Sequence, residues 1–138
     1  MLMNLEVSHE IDELAIRSHR LQRTRDQLIK NDIAAAILTD PVNIRYATGS
    51  RNMQIWTARN MVRYAFVPAE GNVVLFENGN AFHLAKNLET ISEIRNATSL
   101  EFGISGHRFA EHAGHWADEL VDLFHKTCGN SGRLGIDT

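Results

Sequence analysis

A chain of 138 residues, 43% hydrophobic and 22% charged, is long enough to bury a continuous core without disulfide or metal staples, and this composition excludes a disordered class. A formal net charge of -3 with a pI near 6.1 argues against nucleic acid as a main partner, because phosphate binding requires a basic face. The single Cys128 has no internal partner for a disulfide, and no apolar run approaches the roughly 18 residues of a membrane span.

The first ten residues, MLMNLEVSHE, lack the basic stretch followed by an apolar run that marks a signal peptide, so a cytoplasmic domain with no membrane partner is expected. From Ser8 to Lys30 the spacing predicts one amphipathic helix, with Leu14, Leu21 and Leu28 seven apart and Ile11 and Ile29 adjoining them. Ser8 suits the N-cap, and Glu10, Asp12 and Glu13 suit the positive end of the helix dipole. Arg17, Arg20, Arg23 and Arg25 on the outer face read as a solvated stripe. Ile33 to Thr39 is an apolar run without alternation, as in a strand covered on both sides, and helix followed by covered strand opens an α/β layer structure. Asp40-Pro41 is expected to end it. Asn43 to Tyr46 fits one helical turn, and Gly49 a reversal at positive φ.

Met61 to Pro68 and Asn72 to Phe76 predict two strands of an antiparallel hairpin, joined by Ala69-Glu70-Gly71-Asn72. Ala81 to Leu88 suits a short helix with Phe82, Ala85 and Leu88 on one face. Thr90 to Gly103 fits one or two edge strands through Ile91, Ile94, Leu100 and Phe102. A second long helix is expected from Ser105 to Lys126, with Phe109, Ala113, Trp116, Leu120, Leu123 and Phe124 at helical spacing. After Gly129 to Gly132, Leu134 to Asp137 begins another strand. The sequence stops inside that strand, so residues 1–138 are expected to be a single domain from a longer protein. No internal repeat, low-complexity tract or interdomain linker interrupts them.

Between Asp40 and Glu70 there is no acidic residue, yet Arg45, Arg51, Arg59 and Arg63 fall there with Tyr46, Trp56 and Tyr64. An arginine fork matches a carboxylate with two hydrogen bonds, and a tryptophan face attracts a cation or an apolar group. Trp56 with Arg59 or Arg63 therefore suits a small zwitterion; the plainer alternative puts Arg63 and Tyr64 on the two faces of a strand and Trp56 over the core. His107, His112 and His115, near Glu111 and Glu119, suggest a metal site, but they lie on the polar side of the second helix without the order HExxH. No GxSxG surrounds a serine, and Cys128 lies in no recognisable motif. Neither GxxxxGK[ST] nor GxGxxG is present, and the carboxylates Asp12, Glu13, Asp118, Glu119 and Asp122 read as solubilising charge. No catalytic residue and no metal ligand is assigned, and the chain alone is expected to be inactive.

The order of elements, the residues Leu21, Leu28 and Ala35 to Leu38, the pattern Asp40-Pro41-x-Asn43-Ile44-x-Tyr46-x-x-Gly49 and the hairpin Phe66-Val67-Pro68-x-x-Gly71 resemble one known family. It is the N-terminal domain of the creatinase/prolidase group of metallohydrolases, which includes Xaa-Pro dipeptidases and aminopeptidase P. The resemblance implies an α/β fold, a mixed β-sheet flanked by helices with a ribonuclease H-like motif. It also implies a following catalytic domain in which two aspartates, a histidine and two glutamates hold a pair of divalent ions (Mn, Zn or Co) that activate water. None of those ligands is found in this sequence.

In the family, dimerisation places the N-terminal domain over the neighbouring subunit's active site. The expected partners are therefore the protein's own catalytic domain, a second subunit and a dipeptide or other small substrate. The loop Ser50 to Asn60, with Arg63 at its exit, would then supply substrate contacts through Trp56, Arg59 and Arg63. The leading expectation is a noncatalytic domain of a dimeric metal-dependent hydrolase. Similar proteins act on small zwitterions as amidinohydrolases, ectoine hydrolases or dimethylsulfoniopropionate lyases, and that remains a second reading. A free-standing module for a small anion or protein, and a metal-binding domain built on the three histidines, are the others.

Overall fold

In a computed structural model, residues 11–52 and 62–137 are described. Helix α1 spans Glu13–Lys30 and starts where the Asp12 carboxylate accepts the Ala15 N–H at 2.8 Å. An aspartate in that role satisfies one of the donors that the first turn leaves unpaired. The helix therefore begins later than the Ser8 cap that the spacing predicts; Ser8 itself lies outside the described residues. Of the expected apolar stripe Leu21 and Leu28 are buried, whereas Ile11, Leu14 and Ile29 are exposed.

Strand β1, Ala35–Leu38, is buried along its whole length and occupies the middle of the expected run. Asp40-Pro41 does end it, but as the start of helix α2, Pro41–Thr48, rather than as a plain stop. The Asp40 carboxylate accepts from the N–H groups of Val42 (2.8 Å) and Asn43 (3.1 Å), and proline at the first helical position lacks an N–H that would otherwise be orphaned. The single turn expected at Asn43 to Tyr46 is thus two turns. Gly49 closes it in the left-handed region at φ 78°, donating its N–H to the Arg45 carbonyl.

Strands β2 (Tyr64–Pro68) and β3 (Val74–Glu77) form the expected antiparallel hairpin. The expected helix at Ala81 to Leu88 is a 3-10 segment, Gly79–Leu84, started by the Asn78 side chain accepting the Asn80 N–H. One edge strand, β4 (Glu93–Asn96), runs parallel to β3. Beyond it Phe102–Ser105 coils into the single turn α3, and Gly106 at φ 53° breaks the path. A 3-10 turn, Gly106–Arg108, then leads into α4, Phe109–Cys128, so that helix starts later than Ser105. Strand β5, Leu134–Ile136, pairs parallel with β1.

The five strands lie in the order β4-β3-β2-β1-β5, with antiparallel pairs in the middle and a parallel pair at each edge. Alternation sends Ala36, Leu38, Ala65, Val67 and Leu75 into one core with Leu21, Leu28, Ile44 and Ala47 of α1 and α2. Ile37, Tyr64, Phe66 and Phe76 face the other way, against Leu120, Leu123 and Phe124 of α4. The result is an α/β mixed sheet with helices on both faces. Among the described residues no helix is long and apolar enough to cross a membrane.

Candidate functional site at the base of the arginine loop

Asn52, after α2, and Arg63, before β2, meet on one carboxylate, that of Glu77. Arg63 Nε donates to Glu77 Oε2 at 2.5 Å, and a terminal guanidinium nitrogen of Arg63 donates to Ser50 Oγ. The other carboxylate oxygen, Glu77 Oε1, accepts from Asn52 Nδ2 and from the Asn78 N–H, each at 3.0 Å. The Arg63 and Glu77 side chains are 5% and 0% exposed, and Ser50 is fully buried. Removing one member of such a pair strands a buried charge, at a cost of about 3–5 kcal/mol.

The chain before the loop is held equally firmly. The Thr48 hydroxyl donates to the Ile44 carbonyl at 2.7 Å and accepts the Ser50 N–H at 3.1 Å, while Thr90 Oγ1 donates to the Thr48 carbonyl. Of the three residues that the sequence assigns to substrate, Arg63 is buried with its guanidinium bound to Glu77 and Ser50. Trp56 and Arg59 lie outside the described residues. Glu77 escapes the sequence reading, although a lone acid closing the apolar run Val73-Val74-Leu75-Phe76 is the signal that marks it.

Other residues of the Asp40-to-Gly49 pattern have structural reasons. Asn43 Nδ2 donates to Asp137 Oδ2 at 3.0 Å, and Asp137 also accepts from the N–H and hydroxyl of Thr39 and from the Asp40 N–H. Burial of Asp137 works against its charged form, but these hydrogen bonds from Asn43, Thr39 and Asp40 together outweigh it and hold the carboxyl below its ordinary range. Ile44 fills the core, and the Tyr46 ring lies under the Arg20 guanidinium at 5.7 Å. A Cβ on Gly49 would fall 2.3 Å from Cδ of Arg17, whose guanidinium is gripped by both oxygens of Glu89 at 2.7 and 3.1 Å.

Two clefts flank this region. One of about 360 Å³ lies beside the buried pair, lined by Val62, Glu77, Asn78, Asn96, Ser99 and Ile104. The other, about 220 Å³, has Arg17, Arg20, Arg45 and Arg51 on its walls. Of the described arginines in the window, Arg45 and Arg51 face a cleft and Arg63 is internal.

The histidines do not form a cluster of ligands. His112 Nδ1 lies 3.2 Å from the Ser99 carbonyl, and among the described residues no group of three or more His, Cys, Asp or Glu side chains is placed to hold a metal ion. These residues do not fit the two-metal centre that the family resemblance places in a catalytic domain.

The creatinase/prolidase N-terminal domain model matches residues 20–138. Dimethylsulfoniopropionate lyase DddP of Roseovarius nubinhibens is 30% identical over 122 residues, covering 88% of this chain and 27% of that protein. The DddP of Roseobacter denitrificans is 30% identical over 126 residues, covering 91% and 28%. This chain spans little more than a quarter of the length of these curated relatives. A dipeptidase from Pyrococcus horikoshii OT3 superposes with a TM-score of 0.53 over 86% of this chain and 28% of its own, at 17% identity, which is a likeness of fold. The chain belongs to the creatinase/prolidase N-terminal domain family.

Proposed function

We propose that this chain is the noncatalytic N-terminal domain of a dimeric enzyme acting on a small sulfonium or ammonium zwitterion, with dimethylsulfoniopropionate the first candidate. The observation that carries the reading is the 30% identity, over 88% and 91% of the chain, with two proteins named for cleaving that compound. The dipeptidase likeness, at 17% identity, speaks for fold and not for a peptide substrate. The domain's work is to join the dimer and to cap the neighbouring subunit's active site.

The chemistry of the loop suits such a substrate. An indole face attracts a sulfonium cation and a guanidinium fork takes the carboxylate, so Trp56 and Arg59 are assigned these two ends. Arg63, at the end of the same segment, is paired with Glu77. Holding both ends of the substrate fixes its reactive carbons relative to a base supplied by the rest of the protein. Any metal pair belongs to that remainder, since the residues described offer no donor set for it.

The test is to supply the purified full-length protein with dimethylsulfoniopropionate. Elimination takes a proton from the carbon beside the carboxylate, breaks the carbon–sulfur bond, and yields equal amounts of acrylate and dimethyl sulfide. Release of both by the full-length protein, and of neither by residues 1–138 alone, is the expected result. Hydrolysis of Xaa-Pro dipeptides without dimethyl sulfide release would return the assignment to the peptidase branch of the family.

A further inference from the structure

We propose that the cleft between α1 and α2 binds a doubly charged phosphate group, free or carried on a small organic molecule. Arg17 and Arg20 of α1, Arg45 in the last turn of α2 and Arg51 just beyond it stand on its walls, with Glu13 and Ile16 on the α1 side. Positions 13, 16, 17 and 20 share one face of a helix, so α1 presents both of its arginines to the same space. The inference stands independently of the substrate proposed above.

The four arginines are not equivalent. The stem of Arg17 crosses Gly49, where a Cβ would lie 2.3 Å from its Cδ, and its guanidinium is held by Glu89 at 2.7 Å and by Glu13 at 3.0 Å. That arginine is already neutralised and fixed in place. Arg20 lies over the Tyr46 ring, and among the described residues no carboxylate is paired with Arg20, Arg45 or Arg51. Four positive and two negative charges therefore surround the cleft, an excess of two that a dianion cancels. Guanidinium groups gathered around one space repel each other, and an anion held among them turns that repulsion into attraction.

The walls favour phosphate over a simple carboxylate. Each guanidinium plane can give two parallel hydrogen bonds to a phosphate edge, and the three free oxygens of a phosphate ester let several arginines share one group. A lone carboxylate offers one edge and one charge. The cleft, at about 220 Å³, also has an apolar side at Ile11 and Ile16, which suits the carbon part of an ester. Such a grip uses side chains alone, so it needs none of the glycine-rich phosphate loops that the sequence lacks.

The test is calorimetric titration of the full-length protein with inorganic phosphate and, separately, with glycerol 1-phosphate. It is run at about pH 7.5, where the phosphate group is mostly doubly charged, and at fixed ionic strength, so that general screening stays constant. Saturable binding to one site is expected. Arg45→Gln and Arg51→Gln should each weaken it by about tenfold or more, the scale of a lost charge-assisted hydrogen bond, while Arg23→Gln should change Kd by less than about twofold. That control removes the same charge from an exposed position of the same helix, outside the cleft. Tighter binding of the ester would support the site and identify an organic phosphate as its occupant; equal affinity would support it with free phosphate as the occupant. No saturable binding of either anion would overturn the proposal. So would binding that Arg45→Gln and Arg51→Gln leave unaltered, or that Arg23→Gln weakens as much as they do.

Discussion

Asn43 and Asp137, 94 positions apart in sequence, are joined by a 3.0 Å hydrogen bond between the asparagine amide and the aspartate carboxylate. Because Asp137 also accepts from Thr39 and Asp40, one side chain ties the end of β1, the start of α2 and the residue after β5 together. Replacing it by alanine leaves the Thr39 and Asp40 N–H groups without that acceptor. Asp137→Ala should lower the unfolding free energy at neutral pH by about 2 kcal/mol, read by urea denaturation.

The same contact makes a pH prediction. The folded carboxyl of Asp137 titrates below its unfolded counterpart, so its contribution is present above the unfolded value of about 3.9 and is lost as pH falls through the folded one. The stability difference between wild type and Asp137→Ala should therefore be full at pH 7 and shrink in acid below about pH 4. A difference that stays constant into strong acid would contradict this.

Gly49→Ala should destabilise by at least about 1–2 kcal/mol, since an L-residue is strained at this positive φ. The added methyl also collides with Arg17, so Arg17→Ala in the same chain should recover part of the loss. A double-mutant cycle by thermal unfolding measures the coupling.

Tyr64 is wholly buried, with its hydroxyl accepting the Thr98 N–H at 3.2 Å. Desolvation pushes its pKa up to about 12 despite that hydrogen bond. Ultraviolet titration should show a tyrosine step near this value that Tyr64→Phe abolishes. Since the folded state keeps the proton longer than the unfolded one, stability should fall as pH rises above about 10.

Local periodicity made much of the layer structure legible. The heptad spacing of Leu21 and Leu28, the unbroken run at Ala35 to Leu38 and the Gly71 turn each report a constraint set within a few residues. Boundaries that depend on a side chain turning back on its own backbone were harder. Asp12 competes with Ser8 for the role of cap, and Asp40-Pro41 both ends a strand and begins a helix. Long-range polar pairing was not legible: nothing in the spacing joins Arg63 to Glu77, or Asn43 to Asp137, because these partners meet only when the sheet closes. The sequence therefore leaves Arg63 open between a substrate contact and one face of a strand, and the pairing with Glu77 and Ser50 emerges only in the fold.

The most direct test of the central claim is steady-state kinetics of full-length Trp56→Ala and Arg59→Ala with dimethylsulfoniopropionate. If the domain reaches the substrate as proposed, each change should raise KM by about tenfold or more, the scale of one lost cation–π contact or charge-assisted hydrogen bond, with thermal stability retained. Values of kcat and KM equal to wild type in both variants would contradict it.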